Sequence, residues 1–386
     1  MDETARPILE VGAMLLAAAG AGWLARRLGL PAVIGYLAVG LLVSPFTPGY
    51  VAEHDQLILF ADVGVVFLLF EVGIEVDLGR LQRDQGALLW AAPVQTGLTM
   101  AIASGAFLAA GLEPPAAALL GLSIALSSSV VIVNITRSRR RTTDPHTERV
   151  LVGWGVLQDV TGVAIAIVLL AILGSGRPFV ESLVGLAVFG ALVVAVAKLL
   201  PLALHRLRPE HDLFLLVSVS TGLAVAGAGA VLAGIPIALA AFIAGLAISD
   251  SHDAAEARRR LLPFRDVFAV FFFVAIGTLI DPRALAAGLP WFFLAVALVV
   301  VAKSAVAWLL VRTTGLSDSP LQVAVGLGQI GEFSFVLASV ALARGAIGSD
   351  VFAAMLAAVA ATIAGSTILV RLVRRAPVAP TPIAET

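Results

Sequence analysis

The chain is a succession of apolar runs separated by short polar stretches, and this restricts its architecture more than any single motif. About thirteen runs can be counted, taking roughly 20 residues as the length that crosses a bilayer. They fall near residues 6–26, 31–47, 56–77, 87–111, 115–136, 148–174, 180–203, 212–232, 234–249, 266–282, 290–312, 319–344 and 350–372. Lipid offers no partner for backbone N–H and C=O groups, so runs of this kind must be helices; barrel strands would alternate, and these do not. With 60% hydrophobic and 13% charged residues, an ordinary soluble domain is excluded. The expected fold class is an all-α membrane protein.

Charge reports sidedness. Nineteen arginines lie at the ends of the odd-numbered runs through the eleventh and in the tail, against four on the opposite side, Arg6, Arg177, Arg283 and Arg344. The basic clusters, such as Arg137, Arg139, Arg140 and Arg141, therefore read as topology signals rather than as a nucleic-acid surface. The bias predicts an outside N-terminus and a cytoplasmic C-terminus. The first residues, MDETARPILE, lack the basic start of a cleavable signal peptide. Without cysteine there is no thiol chemistry or disulfide. No Walker-type phosphate loop occurs, and GLGQIG lies inside a span with no strand before it, so it is no dinucleotide fingerprint. No cofactor, metal cluster or catalytic triad is expected, and the chain does not read as an enzyme.

Polar residues inside the runs carry the functional signal. The sixth run, LVGWGVLQDVTGVAIAIVLLAILG, holds Gln158 and Asp159. Asp159 falls roughly 12 Å past Leu151 along a helix, near mid-depth, where a carboxylate is expensive and marks a functional site. The alternative is a carboxylate paired inside a bundle. Gln158 can donate and accept hydrogen bonds but cannot charge. One ionisable group beside one neutral one suits a site taking either a proton or a monovalent cation. The fifth and twelfth runs are interrupted by small and polar residues, Ser127-Ser128-Ser129 in one and Gly328, Gln329, Gly331, Glu332 and Ser334 in the other. They stand seven runs apart, so they face opposite ways. Broken helices at matching places in two antiparallel halves point to a transporter site, while small residues alone would also suit tight packing.

Lys303 is the second deep charge. Trp291 and Arg312 bracket its run, so its ammonium cannot easily reach the interface, and Asp159 is its obvious partner. That pair could be purely structural, or could compensate an empty site. Lys198 reads as snorkelling. Glu71 and Asp62 lie deep in the third run, either lining a water-filled funnel that attracts cations or pairing locally in a scaffold. Glu75 and Asp77 read as interfacial. Glu332 is expected to pin the crossing, supporting Asp159.

These motifs resemble the monovalent cation:proton antiporter family, most closely the Kef-type potassium:proton antiporters, over about residues 8–372. FLLFEVGIEVDLGRL, IALSSSVVIV, GWGVLQDVTGV, PFRDVFAVFFFVAIGTLIDPRAL and LGQIGEFSFV are similar to the family's motifs in order, and Lys303 falls at its buried lysine. The resemblance implies a fold of about 13 transmembrane helices with inverted repeats and two broken crossing helices. It implies scaffold and dimerisation helices at 1–82 and 211–286, a core at 83–176 and 287–375, a linker helix at 177–210 and a cytoplasmic tail at 376–386. It implies an electroneutral antiporter in a bacterial inner membrane. Asp159 would bind potassium, or alternatively sodium, in competition with a proton. Gln158, Ser127 and Ser128 would assist, with Gln329, Glu332, Lys303 and Glu71 in support. Its partners would be a second copy in a homodimer, the bilayer, and a regulatory element, since Kef proteins continue into a nucleotide-binding domain where this chain stops at Thr386. That element would be a separate subunit or a removed C-terminal domain. A different class, a cation channel or membrane-embedded sensor, also uses broken helices, but needs no titratable group at mid-depth.

Overall fold

A computed structural model of the chain describes residues 5–47, 54–75, 86–128, 131–132, 136, 143–172, 179–331 and 333–373. Their regular structure is helical. In chain order the helices are α1 (Ala5–Arg27), α2 (Ala32–Leu42), α3 (His54–Glu75), α4 (Leu88–Ala109), α5 (Pro114–Ala125), α6 (Pro145–Ile172), α7 (Phe179–Leu207) and α8 (His211–Ala233). There follow α9 (Ile237–Leu246), α10 (Ala254–Thr278), the short α11 (Pro282–Ala287) and α12 (Leu289–Ala297). A π turn (Leu298–Lys303) leads into α13 (Ser304–Thr314), then α14 (Pro320–Leu327), α15 (Phe333–Ala343) and α16 (Ser349–Leu372). Among the described residues nine helical stretches are long and apolar enough to cross a membrane, and α2, α5, α9 and α15 are shorter apolar helices.

Within the described residues the expected apolar runs are helical apart from the breaks expected in the fifth and twelfth. The twelfth run is two helices, α14 and α15, parted by a non-helical stretch that starts at Gly328. Two further features depart from the sequence reading. The eleventh run contains the π turn ending at Lys303. The stretch SHDAAEARRRLLPFRD, which lies between the ninth and tenth runs, is helical from Ala254 onward. The physical reason is a buried stripe: Ala254, Ala257 and Leu261 repeat at helical spacing and are buried. On the other face Glu256 pairs with Arg259 and Arg260, three and four residues on, at 2.6 Å each.

The helices pack in two groups. In one, α3 lies against α9 and α10, α2 against α1 and α10, and α8 against α7 and α9. In the other, α4 packs on α5 and α6, α14 on α13, and α16 on α12 and α14, with α15 against α5. Small residues allow the close crossings that membrane helices need. Gly73 of α3 meets Gly245 of α9 so tightly that a Cβ on Gly73 would stand 2.3 Å from the Phe242 carbonyl oxygen. Large apolar side chains cover the outside, among them Leu9, Leu16, Leu199 and Leu202. Such a surface suits lipid and not water.

Candidate functional site

Two helices stop short in the middle of the molecule, and their ends meet. α5 ends at Ala125, where Leu126 turns to extended backbone, and α14 ends at Leu327. An interrupted helix leaves carbonyls and N–H groups that lipid cannot satisfy, so each must find a partner inside the protein. Many pair across the crossing. The Gly331 N–H donates to the Leu126 carbonyl at 3.0 Å. The Ser127 hydroxyl donates to the Leu327 carbonyl at 2.9 Å. The Gln329 side chain pairs with the backbone of Ser128, accepting its N–H and donating to its carbonyl, both at 3.1 Å. From α16, the Thr362 hydroxyl accepts the Ile330 N–H at 3.2 Å. Gly331 is required by contact: a Cβ there would lie 2.6 Å from the Ser127 carbonyl carbon.

α6 supplies Gln158 and Asp159 beside this crossing. The Gln158 Oε1 accepts the Ser127 N–H at 3.2 Å, and its Nε2 donates to the Ala125 carbonyl at 3.3 Å. The same Nε2 donates to Gln95 Oε1 of α4. Gln158, Asp159 and Lys303 are 0%, 1% and 0% exposed, so no bulk water screens the charges at this site. The expected pairing of Lys303 with Asp159 is corrected. Among the described residues, the Lys303 ammonium donates to backbone carbonyls, Leu126 at 2.7 Å and Gln329 at 2.6 Å. Both carbonyls lie just past the C-terminal end of a half-helix, where the helix dipole is negative and a cation is favoured. The reason is steric placement: the π turn that ends at Lys303 delivers its side chain to the crossing itself.

The other expected residues divide. Ser127 and Ser128 are buried in the first break, and the Ser128 hydroxyl accepts the Val131 N–H at 3.2 Å. Ser129, Glu332 and Asp77 lie outside the described residues. Glu71 is 1% exposed and held by two arginines of α10, Arg258 at 2.5 Å and Arg265 at 2.9 Å. Arg258 also reaches Glu75 at 2.7 Å. Glu71 further lines a cavity of 360 Å³, with Arg26, Tyr36, Arg265, Phe335 and, at the first break, Ser128. The local pairing expected of Glu71 is present, and the residue also lines this cavity. Asp159 is not among the residues lining that cavity. Asp62 and Lys198 are exposed.

Three participants went unread in the sequence: Gln95, Trp154 and Thr362. Each is a polar or amphipathic residue inside an apolar run, and that was the available signal. Gln95, in AAPVQTGLTM, is 0% exposed, accepts the Trp154 indole N–H at 3.2 Å and donates to the Thr99 hydroxyl at 2.9 Å.

Comparison with known proteins places this geometry. The profile of the family described as "Sodium/hydrogen exchanger, transmembrane" matches residues 14–375. A curated relative, "Putative cation/proton antiporter YbaL" of Escherichia coli (strain K12), is 30% identical over 337 residues, 83% of this chain. The chain spans only 60% of that relative's length. A solved structure of "the sodium proton antiporter MjNhaP1 from Methanocaldococcus jannaschii at pH 8" superposes with a TM-score of 0.74 at 18% identity, over 96% of this chain and 98% of that one. At that identity the likeness is one of fold.

Proposed function

The chain belongs to the sodium/hydrogen exchanger family, and from that membership we propose that it exchanges a monovalent cation for a proton across a membrane. The observation that carries this reading is Asp159. It is a fully buried carboxylate on the helix whose preceding residue, Gln158, holds the break in α5. A proton and a cation compete for that one carboxylate, so loading one discharges the other. With Gln158 in place of a second acid, one charge is exchanged for one, and transport is electroneutral. The cavity lined by Glu71 and Ser128 supports an aqueous approach from the arginine-rich side, taken as cytoplasmic. Its connection to Asp159 requires the α4–α6 and α12–α16 group to move against the α1–α3 and α8–α10 group. Ser127, Ser128 and Gln329 build the crossing, and Lys303 neutralises its two carbonyl ends. Potassium is the favoured cation, on the likeness of the motifs to Kef-type antiporters, and the assembly is a homodimer in a bacterial inner membrane.

The experiment is counterflow in proteoliposomes with an internal pH dye, run with potassium, sodium and rubidium gradients. Cation-driven proton movement that persists when the voltage is clamped is the expected result, and Asp159→Asn abolishes it while leaving the thermal stability in place. Flux that simply follows voltage would make the chain a channel, and pH-dependent exchange surviving in Asp159→Asn would remove the carboxylate from the mechanism. A preference for sodium over potassium would change the cargo and leave the exchange.

A further inference from the structure

Resting on that reading of Asp159, we propose that Gln95 is a positioning residue for the cation site, acting through Gln158, and that Gln158 is a strut rather than a cation ligand. The chain of hydrogen bonds runs Trp154, Gln95, Gln158, Ser127, across α6, α4, α6 and the break after α5. Its two ends can only donate. An indole N–H has no acceptor capacity, and neither has a backbone N–H.

Those ends settle the orientation of both amides between them, which the positions of their heavy atoms alone would not. Trp154 requires the oxygen of Gln95 on its side. That same oxygen faces Gln158, which must therefore present its NH2 group. The Gln158 nitrogen also meets the Ala125 carbonyl, an acceptor, and the Gln158 oxygen meets the Ser127 N–H, a donor. Turning Gln158 over would set NH2 against N–H at Ser127 and oxygen against oxygen at both Gln95 and Ala125. Turning Gln95 over would set donors against donors at Trp154 and Gln158. One orientation alone satisfies every contact, and in it the Gln158 oxygen is held on the break.

The functional consequence follows from what the strut holds. Ala125 C=O and Ser127 N–H flank Leu126, whose carbonyl receives Lys303 and Gly331. The unwound backbone there is the part of the site a cation would need and a proton on Asp159 would not. Loosening the strut therefore weakens the cation side of the exchange.

The test separates apparent cation affinity from maximal rate in proteoliposomes. Gln95→Met keeps the length of the side chain and removes the acceptor. It is expected to raise the cation KM about tenfold, the scale of one buried donor left unsatisfied, while Gln95→Glu, which keeps an acceptor oxygen, stays within about threefold of the parent. Gln158→Met should match Gln95→Met, and the double variant should be no worse than either, because both break one chain. A fall in maximal rate at unchanged KM, or effects that multiply in the double variant, would overturn the proposal. Should Gln95→Met fail to fold, Trp154→Phe, which frees the Gln95 amide to rotate, carries the same expectation. A second readout needs no transport. With Trp23, Trp90, Trp291 and Trp308 changed to Phe, Trp154 emission should shift to the blue in Gln95→Met and not in Gln95→Glu. An unmoved spectrum would overturn the hydrogen-bond chain even if Asp159→Asn had already removed the antiport reading, and a shift would keep it.

Discussion

Lys303 and Glu71 meet the same difficulty, a charge held out of water, with different solutions. Lys303 is surrounded by backbone: its ammonium finishes two helix ends, donating to the Gln329 carbonyl and to the Leu126 carbonyl, which also accepts the Gly331 N–H. Glu71 uses side chains, with Arg258 on one oxygen and Arg265 on the other. Removing one partner of a buried pair is worse than never having it, because the remaining charges lose their compensation. Glu71→Gln leaves Arg258 with Glu75 alone and Arg265 with Asp266 alone. The arginine side chains are 33% and 25% exposed, so solvent recovers part of the loss. We expect a destabilisation of about 2 kcal/mol, below the full buried-pair value, seen as a lower melting temperature in detergent. An unchanged melting temperature would mean that the arginines are already solvated in the native protein.

The interrupted helices depend on a few close approaches. Gly331→Ala would press a methyl group into the peptide between Ser127 and Ser128, with backbone atoms at 2.6 to 2.9 Å that cannot step aside. Exchange should fall by at least an order of magnitude at little cost to overall helicity, measured by counterflow and far-ultraviolet circular dichroism, because the strain is local to one crossing. Wild-type rates would show that the breaks can separate freely. α6 has its own start signal. Asp144 precedes it, and its Oδ1 accepts the N–H groups of His146 and Thr147, both at 2.9 Å. Partial burial raises the Asp144 pKa, but the Thr147 hydroxyl and these N–H groups outweigh it and hold the carboxyl below its ordinary value. The sign follows: the cap's contribution is whole above the ordinary carboxylate pKa and fades as the pH falls through the lowered one. Asp144→Ala should cost about 1 kcal/mol at neutral pH, a deficit that shrinks in acid when melting temperatures are compared across pH.

A cavity lies between α1, α2, α3, α10 and the first break, on the side where arginines cluster. Because the chain contains no cysteine, Val72→Cys on the cavity wall would be its sole thiol. A membrane-impermeant thiol reagent should label it in inside-out vesicles and not in right-side-out ones. Labelling from the outer face would reverse the orientation inferred from the arginines. Substrate cation and protons that shift the packing of the two helix groups should also change the labelling rate, since the cavity walls come from both: Phe273 and Ala269 from α10, Phe335 and Ile363 from α15 and α16.

Much of this was legible in the order of residues. Run length and apolarity require helices, because lipid leaves backbone groups no other partner. Gln158 and Asp159 stand out because polar groups are costly at mid-depth, and the small polar clusters at Ser127 and Gln329 mark interruptions for the same reason. Pairing is another matter. That the Lys303 ammonium sits on two carbonyls, that Arg258 and Arg265 converge on Glu71, and that Gln95 steadies Gln158 all depend on which helices lie side by side. Solvation cost is a property of a residue and its depth, so a sequence displays it. Partnership depends on distances between segments far apart in the chain, which exist only after the helices have packed.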